Sequence, residues 1–231
     1  MTDYGYIDRN IGAITEKIEN AKKQSGREED VMLLAAVKYA EAGEIDHLHK
    51  HCGINNIGEN RVQQLLEHWE QIDREGLNVH FIGTLQTNKV KYIIDKVCMI
   101  HSLDSLKLAA EIDKQAKKHG LVMDVLVEIN SGEEESKGGV LPSEAEDFCR
   151  ALSEFSGIRL RGFMTMAPKC DEKEKYLKYF GQTYAQVLDI WTKKLHNIGR
   201  PIISMGMSGS FEEAILSGSD IVRIGRSIFE K

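Results

Sequence analysis

Short apolar runs recur along the chain, separated by longer amphipathic stretches: MLLAAV (32–37), INNIG (54–58), VHFIG (79–83), VCMIHS (97–102), VMDVLVEIN (122–130), IRLRGFMTM (158–166), PIISMG (201–206) and DIVRIG (220–225). Near-continuous apolarity over a few residues is what a strand buried on both faces requires. Between the runs, apolar residues fall at helical spacing, as in Ile45 and Leu48, in Val62, Leu65, Leu66 and Trp69, and in Leu106, Ala109, Ala110 and Ile112. This alternation predicts a parallel sheet covered by helices, and eight strand–helix units fit a closed (β/α)8 barrel better than an open doubly wound sheet. An open Rossmann-like or flavodoxin-like sheet is the rival, but the first strand leads into VKYAEAGE, which has no G-x-G-x-x-G turn. Ile7, Ile11, Ile14 and Ile18 predict one more amphipathic helix, ahead of the first strand and laid against the barrel.

Composition changes this picture little. With three prolines in 231 residues and no Pro- or Ser/Gly-rich run, nothing marks a linker, so one barrel domain is expected over 1–231. The net charge of −6 is spread over interleaved acidic and basic residues, which leaves no basic stripe for nucleic acid. No apolar run approaches the roughly 20 residues that span a bilayer, and MTDYGYIDRN lacks the apolar core of a secretion signal, so a cytoplasmic location is expected. Cys52, Cys98, Cys149 and Cys170 are scattered, with no CxxC pair and no histidine at ligand spacing. Reduced thiols are therefore expected, with neither a zinc site nor a disulfide framework.

Barrels of this kind work at the C-terminal ends of their strands. The first strand ends in Lys38, where an amine with its stem against apolar walls loses hydration and becomes fit for carbonyl chemistry; a surface lysine is the plainer alternative. After the second strand Asn60 is placed to cap the following helix, to turn its amide into the mouth, or both, and Thr87 or Asn88 is expected to cap the helix after the third. His80 reads as a hydrogen-bonded structural residue near the closed end, and Met164 and Met166 as packing or as an apolar wall for a flat ring. The last two loops carry the strongest signal. Gly206-Met207-Ser208-Gly209-Ser210 precedes the helical stretch FEEAILSG, and Gly225-Arg226-Ser227 precedes a short terminal helix, where barrels often bind phosphate on backbone N–H groups and a helix N-terminus. Arg223, inside the last strand, points to the same side as Ile221 and Gly225. Its charge needs a partner, either a strand-end carboxylate such as Glu128 or the ring nitrogen of a cofactor.

Taken in order, AAVKY with Lys38, IGENRVQ (57–63), HFIGTLQTNK (80–89), SKGG (136–139), RGFMTM (161–166), MGMS (205–208) and VRIG (222–225) resemble the YggS/PROSC family of pyridoxal 5′-phosphate (PLP) homeostasis proteins over nearly the whole length. The resemblance implies a barrel like the N-terminal domain of alanine racemase, with PLP held as a Schiff base on Lys38 and Arg223 facing the pyridine nitrogen. It also implies that Ser208, Gly209, Gly225, Arg226 and Ser227 hold the phosphate while Asn60 and Met205 line the ring. No catalytic residue and no metal is implied. The expected role is that of a PLP carrier or regulator, monomeric, with apo forms of PLP enzymes as partners; the alternative is a small amino-acid racemase. Alanine racemase draws its second base, a tyrosine, from another subunit with an additional β-domain, for which the six residues after Gly225 leave no room. The chain departs from the family in having Ser210 where an acidic residue is usual, Arg226 where a small hydroxyl residue is usual, and IFEK in place of an IFG ending.

Overall fold

The computed structural model describes residues 3–132, 138–168, 170, 172–193 and 199–231. Eight parallel strands close into a barrel in sequence order: β1 (Met32–Ala36), β2 (Asn56–Glu59), β3 (Asn78–Phe81), β4 (Met99–Leu103), β5 (Met123–Ile129), β6 (Ile158–Thr165), β7 (Ile202–Ser204) and β8 (Ile221–Ile224). Pairing of β1 with β8, with Leu34 opposite Arg223, closes the ring and rules out the open sheet. Each apolar run foreseen in the sequence overlaps one of these strands, and β2, β3 and β4 extend one residue past their runs, at Glu59, Asn78 and Leu103.

The helices are α1 (Gly5–Ser25), α2 (Ala42–Lys50), α3 (Val62–Trp69), α4 (Leu106–Lys118), α5 (Ala145–Leu152), α6 (Lys173–Thr192), α7 (Phe211–Leu216) and α8 (Arg226–Phe229), with 3-10 turns at Thr87–Tyr92 and Pro142–Glu144. Helix α1 buries the foreseen stripe of Ile7, Ile11, Ile14 and Ile18 and packs on α7 and α8. The carboxamide of Asn10 donates to the carbonyls of Ile228 at 3.0 Å and Glu230 at 2.8 Å, so the IFEK ending is anchored although its helix is short.

Strand alternation sorts the core into two parts. Ala35, Val37, Ile57, Val79, Phe81, Val125, Val127, Phe163, Val222 and Ile224 face the helices. Leu34, Ile82 and Ile221, with Met32 and Ala36 beside them, point into the barrel, as do Met99, Leu126 and Met164. At Gly162 in β6 a Cβ would lie 1.9 Å from the Ile202 carbonyl oxygen, and φ is 153°, so only glycine lets β7 approach there. Among the described residues no helix is long and apolar enough to cross a membrane.

Candidate functional site

The alternation that sends Leu34 and Ala36 inward puts Lys38 on the inward side one step above them, at the barrel mouth. Gln64 on α3 donates to its carbonyl at 2.8 Å, and its ammonium stands 4.8 Å from the centre of the Tyr39 ring. Lys38, Tyr39, Arg61 and Gln64 line an open recess. The Tyr39 phenol is held below its usual range by a hydrogen bond from Lys38 and by its charge, with smaller effects from Arg226 and Arg61. Three cations thus converge on this side of the mouth, a field that favours an anionic ligand.

Gly225 continues β8 beside this lysine. A Cβ at Gly225 would meet the Ala36 carbonyl oxygen at 2.7 Å, so the last turn is seated on the end of β1. The neighbouring turn is closed by Ser210, whose N–H donates to the Met207 carbonyl at 2.9 Å while its Oγ accepts from the Met207 N–H at 3.3 Å. Ser210 therefore serves the turn as a hydroxyl, a short-range role that needs no acidic side chain. The Ser227 N–H reaches Ser208 Oγ at 3.5 Å, joining the two turns. Since α7 has six residues and α8 four, neither offers a helix dipole of any length, and what this end of the barrel presents is the backbone of two short turns. Gly209 and Arg226 are exposed; Ser208, Gly225 and Ser227 are partly so.

Two expectations need correction and one alternative is decided. The Met205 side chain is fully buried in the outer core among residues that face the helices, so strand alternation turns it away from the mouth. Asn60 does not cap α3, whose N-cap is Arg61 with no side-chain hydrogen bond; it has the inward phase of Asn56 and Gly58. Thr87 and Asn88 lie inside a 3-10 turn whose N-cap is Gln86, again without a side-chain cap. Ser136 and Lys137 of the SKGG motif lie outside the described residues.

Arg223 is buried, and three of its five donors are taken by neutral groups. Nη1 donates to the Ser204 carbonyl and to Ser204 Oγ, both at 2.8 Å, and Nη2 donates to the Thr165 carbonyl at 2.9 Å. No carboxylate lies within ion-pair distance among the described residues, so the structural pair with Glu128 is not formed. Burial pulls the guanidinium down to about 10, against the opposing pull of the Glu128 charge, so it remains a cation at neutral pH.

Below Arg223 runs a polar relay that the sequence reading did not find. Ser204 Oγ lies 3.2 Å from His101 Nδ1, His101 Nε2 lies 3.0 Å from His80 Nδ1, and His80 Nε2 lies 3.4 Å from Asn56 Oδ1. That oxygen also accepts from Asn78 Nδ2 at 3.2 Å. Because Asn56 Oδ1 accepts, His80 carries its proton on Nε2; His101 then carries its own on Nε2, and the Ser204 hydroxyl donates to His101 Nδ1. Both imidazoles are neutral: burial pushes His80 down to about 4, and burial, reinforced by the Arg223 charge, holds His101 well below the usual range. The signal was present in the sequence as polar residues at inward positions of apolar strands, His101 two beyond Met99 and Ser204 two beyond Ile202.

Glu128 also points inward from β5. Burial and the nearby Asp104 charge push it up to about 7, with Arg223 opposing. A carboxyl whose folded value exceeds its unfolded 4.5 contributes stability that is complete below pH 4.5 and lost as pH rises towards 7. Glu128→Gln is therefore expected to gain on the parent protein by up to about 1.4 kcal/mol per pH unit between pH 5 and 7. Urea unfolding of both proteins across that interval measures it; a difference independent of pH contradicts the assignment.

The fold and the mouth define a class of protein, a parallel eight-stranded barrel with a strand-end lysine, an inward arginine on the last strand and two adjoining glycine- and serine-bearing turns. The family model described as alanine racemase, N-terminal domain, matches residues 10–230. A pyridoxal phosphate homeostasis protein of Aquifex aeolicus is 39% identical over 95% of this chain and 95% of its own. The chain belongs to the family of pyridoxal phosphate homeostasis proteins. PipY of Synechococcus elongatus, solved with PLP bound, is 26% identical with a TM-score of 0.81, covering 94% of this chain and 99% of its own. Alanine racemase of Clostridium difficile, 21% identical with a TM-score of 0.73, shares the fold over 96% of this chain and 56% of its own.

Proposed function

We propose that this protein binds PLP covalently through Lys38 and serves as a cytoplasmic carrier or regulator of the cofactor, acting as a monomer in exchange with apo forms of PLP enzymes. The observation that carries the reading is the grouping of Lys38, the two joined turns and Arg223 on the adjacent strands β7, β8 and β1. The binding of PLP by PipY and the names of the relatives support it. The residues present fit the group. The turn N–H groups of 208–209 and 225–227 would take the phosphate, Arg223 with its two remaining donors would meet the ring nitrogen, and the inward Met164 with the half-exposed Met166 would flank the ring.

When bound, PLP supplies an electrophilic aldehyde and an electron-accepting ring. Arg223 remains protonated at neutral pH and donates, so it cannot also hand a proton to the ring nitrogen; this favours retention and exchange of the cofactor over electron-sink chemistry. Tyr39 is 71% exposed beside Lys38, so as a proton-transfer group it would work against open water. Bound PLP is expected to reach an apo-aminotransferase faster than free PLP at equal concentration, measured as recovery of aminotransferase activity. Incubation with L-alanine in deuterated water is expected to give no enzyme-like exchange of the α-proton; exchange with inversion at about 1 s⁻¹ or more would establish the racemase reading instead.

A further inference from the structure

Helix α2 runs into the sequence HLHKHC (47–52), and the first turn of α1 lays a carboxylate over it. Asp8 Oδ1 lies 2.8 Å from His47 Nε2 and accepts from Cys52 Sγ at 3.3 Å. The Cys52 backbone N–H donates to the His47 carbonyl at 3.4 Å, which folds the thiol back beside the imidazole. His47 is wedged in place: the His51 ring stacks on it at 4.7 Å and the Tyr4 ring lies against it at 5.1 Å. The three ligand atoms lie within 4.8 Å of one another. The His47 side chain is only 16% exposed and that of Asp8 55%, so the group opens to solvent on one side.

We propose that Asp8, His47 and Cys52 form a binding site for a zinc-type divalent cation, with solvent as the fourth ligand. One imidazole nitrogen, one sulfur and one carboxylate oxygen are the donor set that selects zinc over magnesium or calcium, which take oxygen. Ligands around a tetrahedral zinc stand about 3.3 to 3.6 Å apart, given zinc–nitrogen and zinc–sulfur distances of about 2.0 and 2.3 Å. The two short contacts of Asp8 need only open slightly, and the His47 to Cys52 span close, all within side-chain motion at a surface. On binding, the Cys52 sulfur gives its proton to solvent and becomes a thiolate, and His47 carries its one proton on Nδ1. The site passes from one net negative charge to neutrality, with one proton released per ion. The reading of the cysteines as lacking a histidine at ligand spacing overlooked HLHKHC, which sets His47 five positions before Cys52, while Asp8 comes from 39 positions before His47. The ion would tie α1, which also packs on α7 and α8, to the end of α2.

Titration of the full chain with Zn²⁺ by calorimetry, and with Co²⁺ by difference absorbance, tests the proposal. One ion per chain, a sulfur-to-cobalt charge-transfer band, release of one proton and a higher Tm with Zn²⁺ are expected. Cys52→Ser should abolish the band, Asp8→Asn and His47→Gln should each weaken binding at least tenfold, and Cys98→Ser and Cys170→Ser should change neither. Binding of Co²⁺ without that band, binding that survives both Cys52→Ser and His47→Gln, or an equal response to Mg²⁺ overturns it. Circular dichroism of each variant separates loss of the ion from loss of the fold.

Discussion

Lys38→Ala is expected to abolish the borohydride-trappable PLP adduct completely while leaving the barrel folded. The side chain lies beyond the last paired residue of β1, is partly exposed, and makes no ion pair among the described residues. Its carbonyl, not its amine, holds the α3 contact with Gln64, and alanine keeps that bond. The stability change should stay within about 0.5 kcal/mol, the usual range for surface substitutions away from special features. Adding PLP, reducing with borohydride and weighing the protein checks both halves: no mass gain in the variant, an unchanged unfolding midpoint. Retention of the adduct in the variant transfers the linkage to another lysine and sinks the assignment.

Arg223→Leu should be the most destabilising single change at the mouth, by about 3 kcal/mol, because it strips donors from the Ser204 carbonyl, Ser204 Oγ and the Thr165 carbonyl inside the barrel. Burial has already cost the guanidinium part of its charge stabilisation, so removing the charge returns some free energy and keeps the loss below the sum of three bonds. Arg223→Lys keeps the charge but cannot fork between two strands, and is expected to fold with an intermediate loss. In that variant PLP affinity should fall at least tenfold on the proposed arrangement, since the donors assigned to the ring nitrogen lose their fixed direction. Urea unfolding gives the first quantity and equilibrium dialysis the second. A loss under 1 kcal/mol for Leu, or unchanged affinity for Lys, contradicts the placement.

The sequence was most readable where one physical rule governs a whole element. Strands buried on both faces announce themselves by continuous apolarity, so all the strands and α1 were legible. The places of Lys38 past β1, Arg223 inside β8 and the two glycine-bearing turns after β7 and β8 were legible because they sit at fixed steps from those runs; their roles toward a cofactor remain the proposal above. Met205 was not, because a motif quoted as a string hides that alternate residues of β7 face opposite sides. Local capping signals misled at Asn60 and Thr87, where tertiary packing lets the helix begin without a side-chain cap. The relay through His101 and Ser204, and the meeting of Asp8 with Cys52, depend on contacts between residues 103 and 44 positions apart, which no window of sequence contains.

Closure of the barrel through β1 and β8, together with the seat of α1 on α7 and α8, also orders events during synthesis. The apolar stripe of α1 leaves the ribosome ahead of all eight strands, yet α7 and α8, on which it packs, follow β7 and β8. Until residues 211–229 emerge, Ile7, Ile11, Ile14 and Ile18 and the free edge of β1 remain without their final neighbours. Long-range pairing of this kind folds slowly and leaves sticky intermediates. A nascent chain stalled before β8 should be bound by chaperones and cut by protease within α1, and release of the last strand should confer protection on α1 and α8 at once.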